Sequence, residues 1–240
     1  MAMPASDLQC VADSDVHVWC AYAETDAVHR FQRTLSTEEL LRAERFHYAK
    51  DRDRFIYARG MLRDILARYA DRDPVELRFR YGPLGKPALA REGIVPDIRF
   101  NLSHSNGFAI LAVASGFEVG VDVEWAQAGS NEDGIAEQFF SPNEIFAIHQ
   151  APSVVRRELF YRLWTSKEAY LKARGAGLSI CLNSFDVSPV AHNSRCVIGE
   201  GFSRWYITAL TPRPGYVAAI ASEDSNCTLY LHDYHALRTC

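Results

Sequence analysis

Residues 120–124 read Gly-Val-Asp-Val-Glu, valines alternating with carboxylates. Along a β-strand successive side chains point to opposite faces. Val121 and Val123 therefore share one face, and Asp122 and Glu124 the other. Two carboxylates on one strand face repel unless a cation or a buried positive group offsets them. Further on, Trp164, Glu168 and Lys172 recur at i, i+4 and i+8, which is one face of a helix. Together the two stretches supply three acids and a lysine, a set that suits a magnesium ion handling phosphate.

Composition sets wide bounds on the rest. The chain has 240 residues, 48% hydrophobic and 12% aromatic, enough for a substantial core in one sizeable domain or two small ones. A net charge of −4 gives no electrostatic case for nucleic acid or an anionic membrane. Residues 1–8 have neither a basic start nor an apolar run, so no secretory leader is expected. No stretch approaches the roughly 20 apolar residues of a membrane span. The six cysteines show no metal-ligand spacing, and reduced thiols in a cytoplasmic protein are expected.

Taken in order, Val16–Tyr22 reads as an opening strand, and Ser36-Thr37-Glu38-Glu39 as a capping box at a helix start. A second helix carries Phe55, Tyr57, Met61, Leu62, Ile65, Leu66 and Tyr69, and most of the arginines between 42 and 63 read as solvated faces. Gly85-Lys86-Pro87 presents a lysine in a turn. Ile98–Leu102 is a strand running into Ser103-His104-Ser105, and Phe108–Ala114 a strand buried on both faces. Residues 126–134 are expected to be a loose polar loop. Ser141-Pro142-Asn143-Glu144 opens another helix, and Arg156–Lys172 a longer one, stopped by Gly175. Strands are expected at Phe185–Val187, Trp205–Leu210, Tyr216–Ala221 and Thr228–Leu231. The run Gly107–Ser115 echoes Gly215–Ser222, a hint of internal duplication.

These motifs resemble, in order, those of the 4′-phosphopantetheinyl transferases. The likeness rests on Gly120–Glu124 and Trp164–Lys172, with Gly85-Lys86-Pro87, Phe100–Ser105, Phe140–Glu144 and the arginine-rich stretch 42–63. Length and order are similar to the Sfp type rather than to the half-length holo-acyl-carrier-protein synthases. The resemblance implies an α+β fold of two similar halves forming an intramolecular pseudo-dimer, divided here as 1–115 and 116–240. It implies transfer of phosphopantetheine from coenzyme A to a serine of an apo acyl or peptidyl carrier protein, by a cytoplasmic monomer. On that model Asp122, Glu124 and Glu168 hold magnesium, or manganese in its place. Lys172 neutralises the phosphates, and Glu168 takes the serine proton. Arg42, Lys86, Ser103 and His104 contact the nucleotide, its 3′-phosphate or the pyrophosphate. Glutamate at 39 departs from the lysines of the Sfp prototype, so Arg42 alone is carried over there. Taken singly, the acids are also the wet face of an edge strand, and Glu168–Lys172 an ordinary helical pair. A magnesium-dependent nucleotide pyrophosphatase would use the same acids with water, and an inactive coenzyme A-binding module would need none of them.

Overall fold

A computed structural model describes residues 11–90, 97–126, 131–187, 195–197 and 204–237. The chain runs β1 (Asp15–Tyr22), α1 (Val28–Gln32), α2 (Thr37–Glu44), α3 (Ala49–Ala70), β2 (Phe79–Tyr81), β3 (Pro87–Leu89), β4 (Ile98–Ser105) and β5 (Phe108–Ser115). It then repeats the order with β6 (Val119–Trp125), α4 (Glu132–Phe139), α5 (Pro142–Gln150), α6 (Ser153–Arg174), β7 (Arg195–Val197), β8 (Trp205–Leu210) and β9 (Tyr216–Ser222), and closes with β10 (Thr228–Asp233) and α7 (Tyr234–Leu237).

Two four-stranded sheets carry the fold, ordered β10-β1-β5-β4 and β6-β9-β8-β7. In each, the opening strand pairs antiparallel with the last strand of its half, β1 with β5 and β6 with β9. The echoing segments noted above are β5 and β9, and they hold equivalent places. The fold is α+β, with two similar halves. Four layers result: α3 covers one face of the first sheet, α6 one face of the second, and the remaining faces meet between them. Val16, Val18, Ile110 and Ala112 from the first sheet pack there with Val119, Val121, Val123 and Ile220 from the second. Burying such faces is the main favourable term in the fold.

The C-terminal segment departs from the division at 115/116. β10 pairs in parallel with β1, so the end of the second half completes the first sheet. This covers an edge whose backbone groups would otherwise stand open.

Each half also contains the same staple. Ser36 and Glu39 form a reciprocal capping box on α2, and Ser141 and Glu144 form one on α5. Both glutamates are buried, and each meets cations from its long helix: Glu39 bonds Arg59 and Arg63, the latter at 2.7 Å, and Glu144 bonds Lys167 at 2.8 Å. The Lys167–Glu144 pair is fully buried. Lys167 also donates to the carbonyls of Leu182 and Phe185, and Glu144 accepts from Val187 N, so the pair is satisfied on all sides. Arg59 and Arg63 are therefore core residues, the exceptions among arginines that mostly read as solvated, because the capping glutamate carries a charge inward.

Two local expectations also change. The end of the expected 126–134 loop, residues 132–134, is instead the first turn of α4, since Asn131 caps Gly134 N and so starts the helix; residues 127–130 of that stretch lie outside the described residues. Phe185–Val187 is reduced to a single β-bridge residue, Asp186; it follows a 3₁₀ turn and spends Val187 N on Glu144.

Candidate active site

Strand β6 behaves as its alternation demands. Val121 and Val123 are buried between the sheets, and Asp122 and Glu124 face α6. Gly120 controls how close that helix comes. A Cβ at 120 would fall inside the contact distance of Ala169 O and Ala173 N, and 2.8 Å from Ala173 Cα. Only glycine admits the helix backbone at this separation. The close approach sets Glu168 and Lys172 beside Asp122. Gly175, with φ 60°, then ends α6 in the left-handed conformation.

Strand β4 supplies the other wall. It lies alongside β6, but side chains rather than backbone make the bridge. Asn101 Oδ1 accepts from Val121 N (2.9 Å), Ser103 Oγ from Val123 N (3.4 Å) and Ser105 Oγ from Trp125 N (3.1 Å). The serine hydroxyls pass their own protons on: Ser103 to Asp122 Oδ1 (2.9 Å) and Ser105 to Glu124 Oε2 (2.8 Å). Lys172 Nζ completes the knot, donating to Asp122 Oδ1 (2.6 Å) and Ser103 Oγ (3.0 Å). Ser103 thus uses its one donor and both acceptor positions within the protein.

The acids are held uncomfortably. Burial pushes the Asp122 carboxyl above its usual range, against the Lys172 ammonium and the hydrogen bonds from Lys172 and Ser103. Burial raises Glu168 too, with Asp122 adding to the effect and Lys172 opposing it. Glu124 is raised by burial, held down by the Ser105 hydrogen bond, and raised further by Asp122 and Glu168. Three carboxyls raised by burial, two of them raised further by Asp122, call for positive charge.

Lys172 supplies one such charge, and the donor set fits a second. Asp122 Oδ2 is buried with no hydrogen-bond partner, an acceptor left open beside two more carboxylates. All-oxygen ligands match a hard divalent cation. Among the described residues no three such side chains already converge as metal ligands, which agrees with Lys172 holding Asp122 Oδ1.

Of the residues expected to meet a nucleotide, two line a common cleft. Arg42 and His104 face a cleft of about 930 Å³ together with Arg45 and Phe55, and the Arg42 guanidinium lies 5.5 Å from the Phe55 ring centre. Loss of hydration in the cleft, then the Lys172 charge, lowers the His104 pKa, with Arg54 adding to it. Lys86 is directed elsewhere. Its ammonium is half-enclosed by Glu118 (2.5 Å), Val119 O (3.3 Å) and Ala173 O (2.5 Å). The sequence reading passed over Asn101, Ser105 and the role of Gly120. The signal for the first two is period-two spacing: Asn101, Ser103 and Ser105 are the polar face of one strand.

Comparison with known proteins says what the chain is similar to. A model of the 4′-phosphopantetheinyl transferase superfamily matches residues 118–221, and one of the N-terminal part of 4′-phosphopantetheinyl transferases matches residues 22–116. The chain is 33% identical to the 4′-phosphopantetheinyl transferase HetI of Nostoc over 209 residues, covering 86% of this chain and 87% of that one. It is 38% identical to the putative 4′-phosphopantetheinyl transferase slr0495 of Synechocystis, covering 69% and 67%. It is 30% identical to 4′-phosphopantetheinyl transferase Sfp of Bacillus subtilis, covering 80% and 84%.

Proposed function

The chain belongs to the 4′-phosphopantetheinyl transferase superfamily, and on that premise we propose that it moves the 4′-phosphopantetheine group of coenzyme A to a serine of an apo acyl or peptidyl carrier protein, with magnesium, releasing 3′,5′-ADP. The observation that carries this reading is the Asp122–Ser103–Lys172 knot, with a free Asp122 oxygen beside Glu124 and Glu168.

Asp122, Glu124 and Glu168 are the residues that would hold the metal. When bound, magnesium supplies charge neutralisation and orientation at the pyrophosphate. Arg42 and His104 line the cleft that would take the nucleotide end of coenzyme A, and an arginine there pairs with phosphate oxygens bidentately. Lys172, fixed by Asp122 and Ser103, presents its ammonium to the phosphates and stabilises charge on the departing oxygen. The carrier serine oxygen attacks the phosphorus that bears pantetheine. A bond forms there, the anhydride P–O bond breaks, and its electron pair leaves with 3′,5′-ADP. Glu168, whose carboxyl sits above its usual range, accepts the serine proton, a role worth about 10²–10⁴-fold.

The test is mass spectrometry of apo fatty-acid, polyketide and peptide carriers incubated with coenzyme A and magnesium. One phosphopantetheine added to a carrier serine is the expected result. No mass gain on any carrier refutes the reading. Coenzyme A consumed without a carrier would assign the site to hydrolysis instead.

A further inference from the structure

A second cleft, of about 480 Å³, opens between the β2–β3 hairpin and the C-terminal end of α6. Among the described residues it shares only Tyr81 and Pro87 with the cleft that holds Arg42 and His104, so the hairpin is the wall between them. None of Asp122, Glu124, Glu168 or Lys172 lines it.

Among the described residues its lining is unequal in charge. Arg80, Lys86, Arg99 and Arg174 face Glu118 and Glu223 across it. Glu118 is shared, one oxygen to Lys86 and the other to Arg99, each at 2.5 Å, and Arg99 is also held by Asp97. Among the described residues, Arg80 and Arg174 carry no ion pair. Arg80 reaches only Leu89 O at 3.5 Å, and Arg174 the Tyr170 hydroxyl at 2.9 Å. Two exposed guanidiniums thus flank a cavity of a size that takes small molecules.

Trp205 lines the same cleft and is only 4% exposed, so its indole signal reports on what occupies the cleft.

We propose that this cleft is a second ligand site, taking a small multiply charged oxyanion, either a phosphate ester or a polycarboxylate. The guanidiniums of Arg80 and Arg174 bind its oxygens, and the Trp205 ring forms part of the wall beside them. Lys86 forms the floor, and through its bond to Ala173 O it touches the residue next to Lys172. The occupant therefore sits at the end of the helix that carries Glu168 and Lys172.

The experiment is a titration of ¹⁵N-labelled protein with citrate and, separately, with glycerol 3-phosphate at constant ionic strength, following the four tryptophan indole signals. Trp205→Phe identifies the Trp205 signal. That signal moves saturably with at least one of the two anions, and the stronger binder names the source chemistry. Arg80→Ala combined with Arg174→Ala weakens binding about tenfold or more. Saturating coenzyme A and Arg42→Ala leave it unchanged. No saturable movement, an equal response to chloride, or displacement by coenzyme A overturns the site. No arm requires turnover, so the result stands apart from the transferase reading.

Discussion

The opening strands of the two halves, β1 and β6, hold the same place and are filled in opposite ways. Tyr22 stands across from Phe108, and Trp125 across from Tyr216. Counting back along each strand sets His17 against Gly120, Trp19 against Asp122 and Ala21 against Glu124. The long helices correspond as well, since α3 and α6 each have 22 residues. Counting along them matches Arg63 with Lys167, Asp64 with Glu168, Arg68 with Lys172 and Tyr69 with Ala173. In the first half the gap between strand and helix is packed with rings. The Tyr69 hydroxyl bonds His17 Nδ1 at 2.7 Å and accepts from Trp19 Nε1 at 3.0 Å, while His232 stacks on Trp19. In the second half glycine and alanine bring the backbones together, and the space goes to carboxylates. Even the strand edge differs: β1 is paired by the backbone of β10, β6 by side chains of β4. One scaffold thus carries a half packed for stability and a half that accepts electrostatic strain to keep a site open.

The comparison breaks first on activity. Asp122→Ala and Glu168→Gln each lower transfer about 10³-fold or more, measured as holo-carrier formed per unit time. Thermal unfolding of Glu168→Gln is not lowered, because its removal relieves repulsion with Asp122. The first-half counterpart, Asp64→Asn, leaves transfer within about twofold. Its carboxylate is engaged by the Tyr234 hydroxyl and, more distantly, by Arg68. Near-normal turnover in either second-half variant removes the assignment of these acids to the chemistry.

Next in size is Gly120→Ala. The added methyl meets the backbone of α6, which cannot rotate out of the way as a side chain would. A cost of about 2–3 kcal/mol in denaturant unfolding is expected. Transfer also falls in the folded fraction, because Glu168 and Lys172 retreat with the helix. Unchanged stability means that α6 is not held against β6 as described.

Much of this contrast was legible in the chain. Alternation placed Val121 and Val123 in the core and Asp122 and Glu124 together, because strand periodicity is a local property. Helical spacing did the same for Glu168 and Lys172, and the serine-to-glutamate spacing marked both capping boxes. Contacts between distant segments were not legible. That Lys86 turns to Glu118 depends on where two loops meet. That Arg59, Arg63 and Lys167 are buried depends on a partner at 39 or 144 that sequence spacing does not join to them. The return of β10 to β1 rests on an open strand edge, which exists only once the first sheet has formed.

Acid should separate the halves. His17 and His232 are both held below the usual histidine range by burial, His232 to about 4, with His17 adding to it. Below pH about 6.5 the unfolded chain binds protons that these folded imidazoles refuse, so ν for the unfolded state exceeds that of the native state. Their stabilising contribution is present above that pH and is lost as pH falls towards 4. The carboxyls of the second half have the opposite sign: with raised pKa values they cost stability as pH rises and are relieved by acid. Comparing His232→Phe with the parent isolates the first half. The loss of stability between pH 7.5 and 5 should shrink by about 1–2 kcal/mol. An identical pH profile in the two proteins shows that the ring cluster does not resist protonation.

The smallest effect sharpens the ranking inside the second half. Ser105 gives its proton to Glu124 and accepts from Trp125 N, so Ser105→Ala leaves one backbone donor and one carboxylate short of a partner. Trp125 is only partly buried, and water can replace part of the loss, so about 1 kcal/mol of stability is at stake. Freed of the hydroxyl, Glu124 rises further and binds a proton more readily, which weakens any cation it helps to hold. Magnesium titration of the variant should therefore show a few-fold weaker apparent affinity, with the transfer rate at saturating magnesium nearly retained. Ser103→Ala disturbs Asp122 and Lys172 at once and should lower that saturating rate. If Ser105→Ala instead matches Asp122→Ala in lost transfer, Glu124 stands level with Asp122, and the chemistry depends on both acids of the β6 face rather than on the one that Lys172 holds.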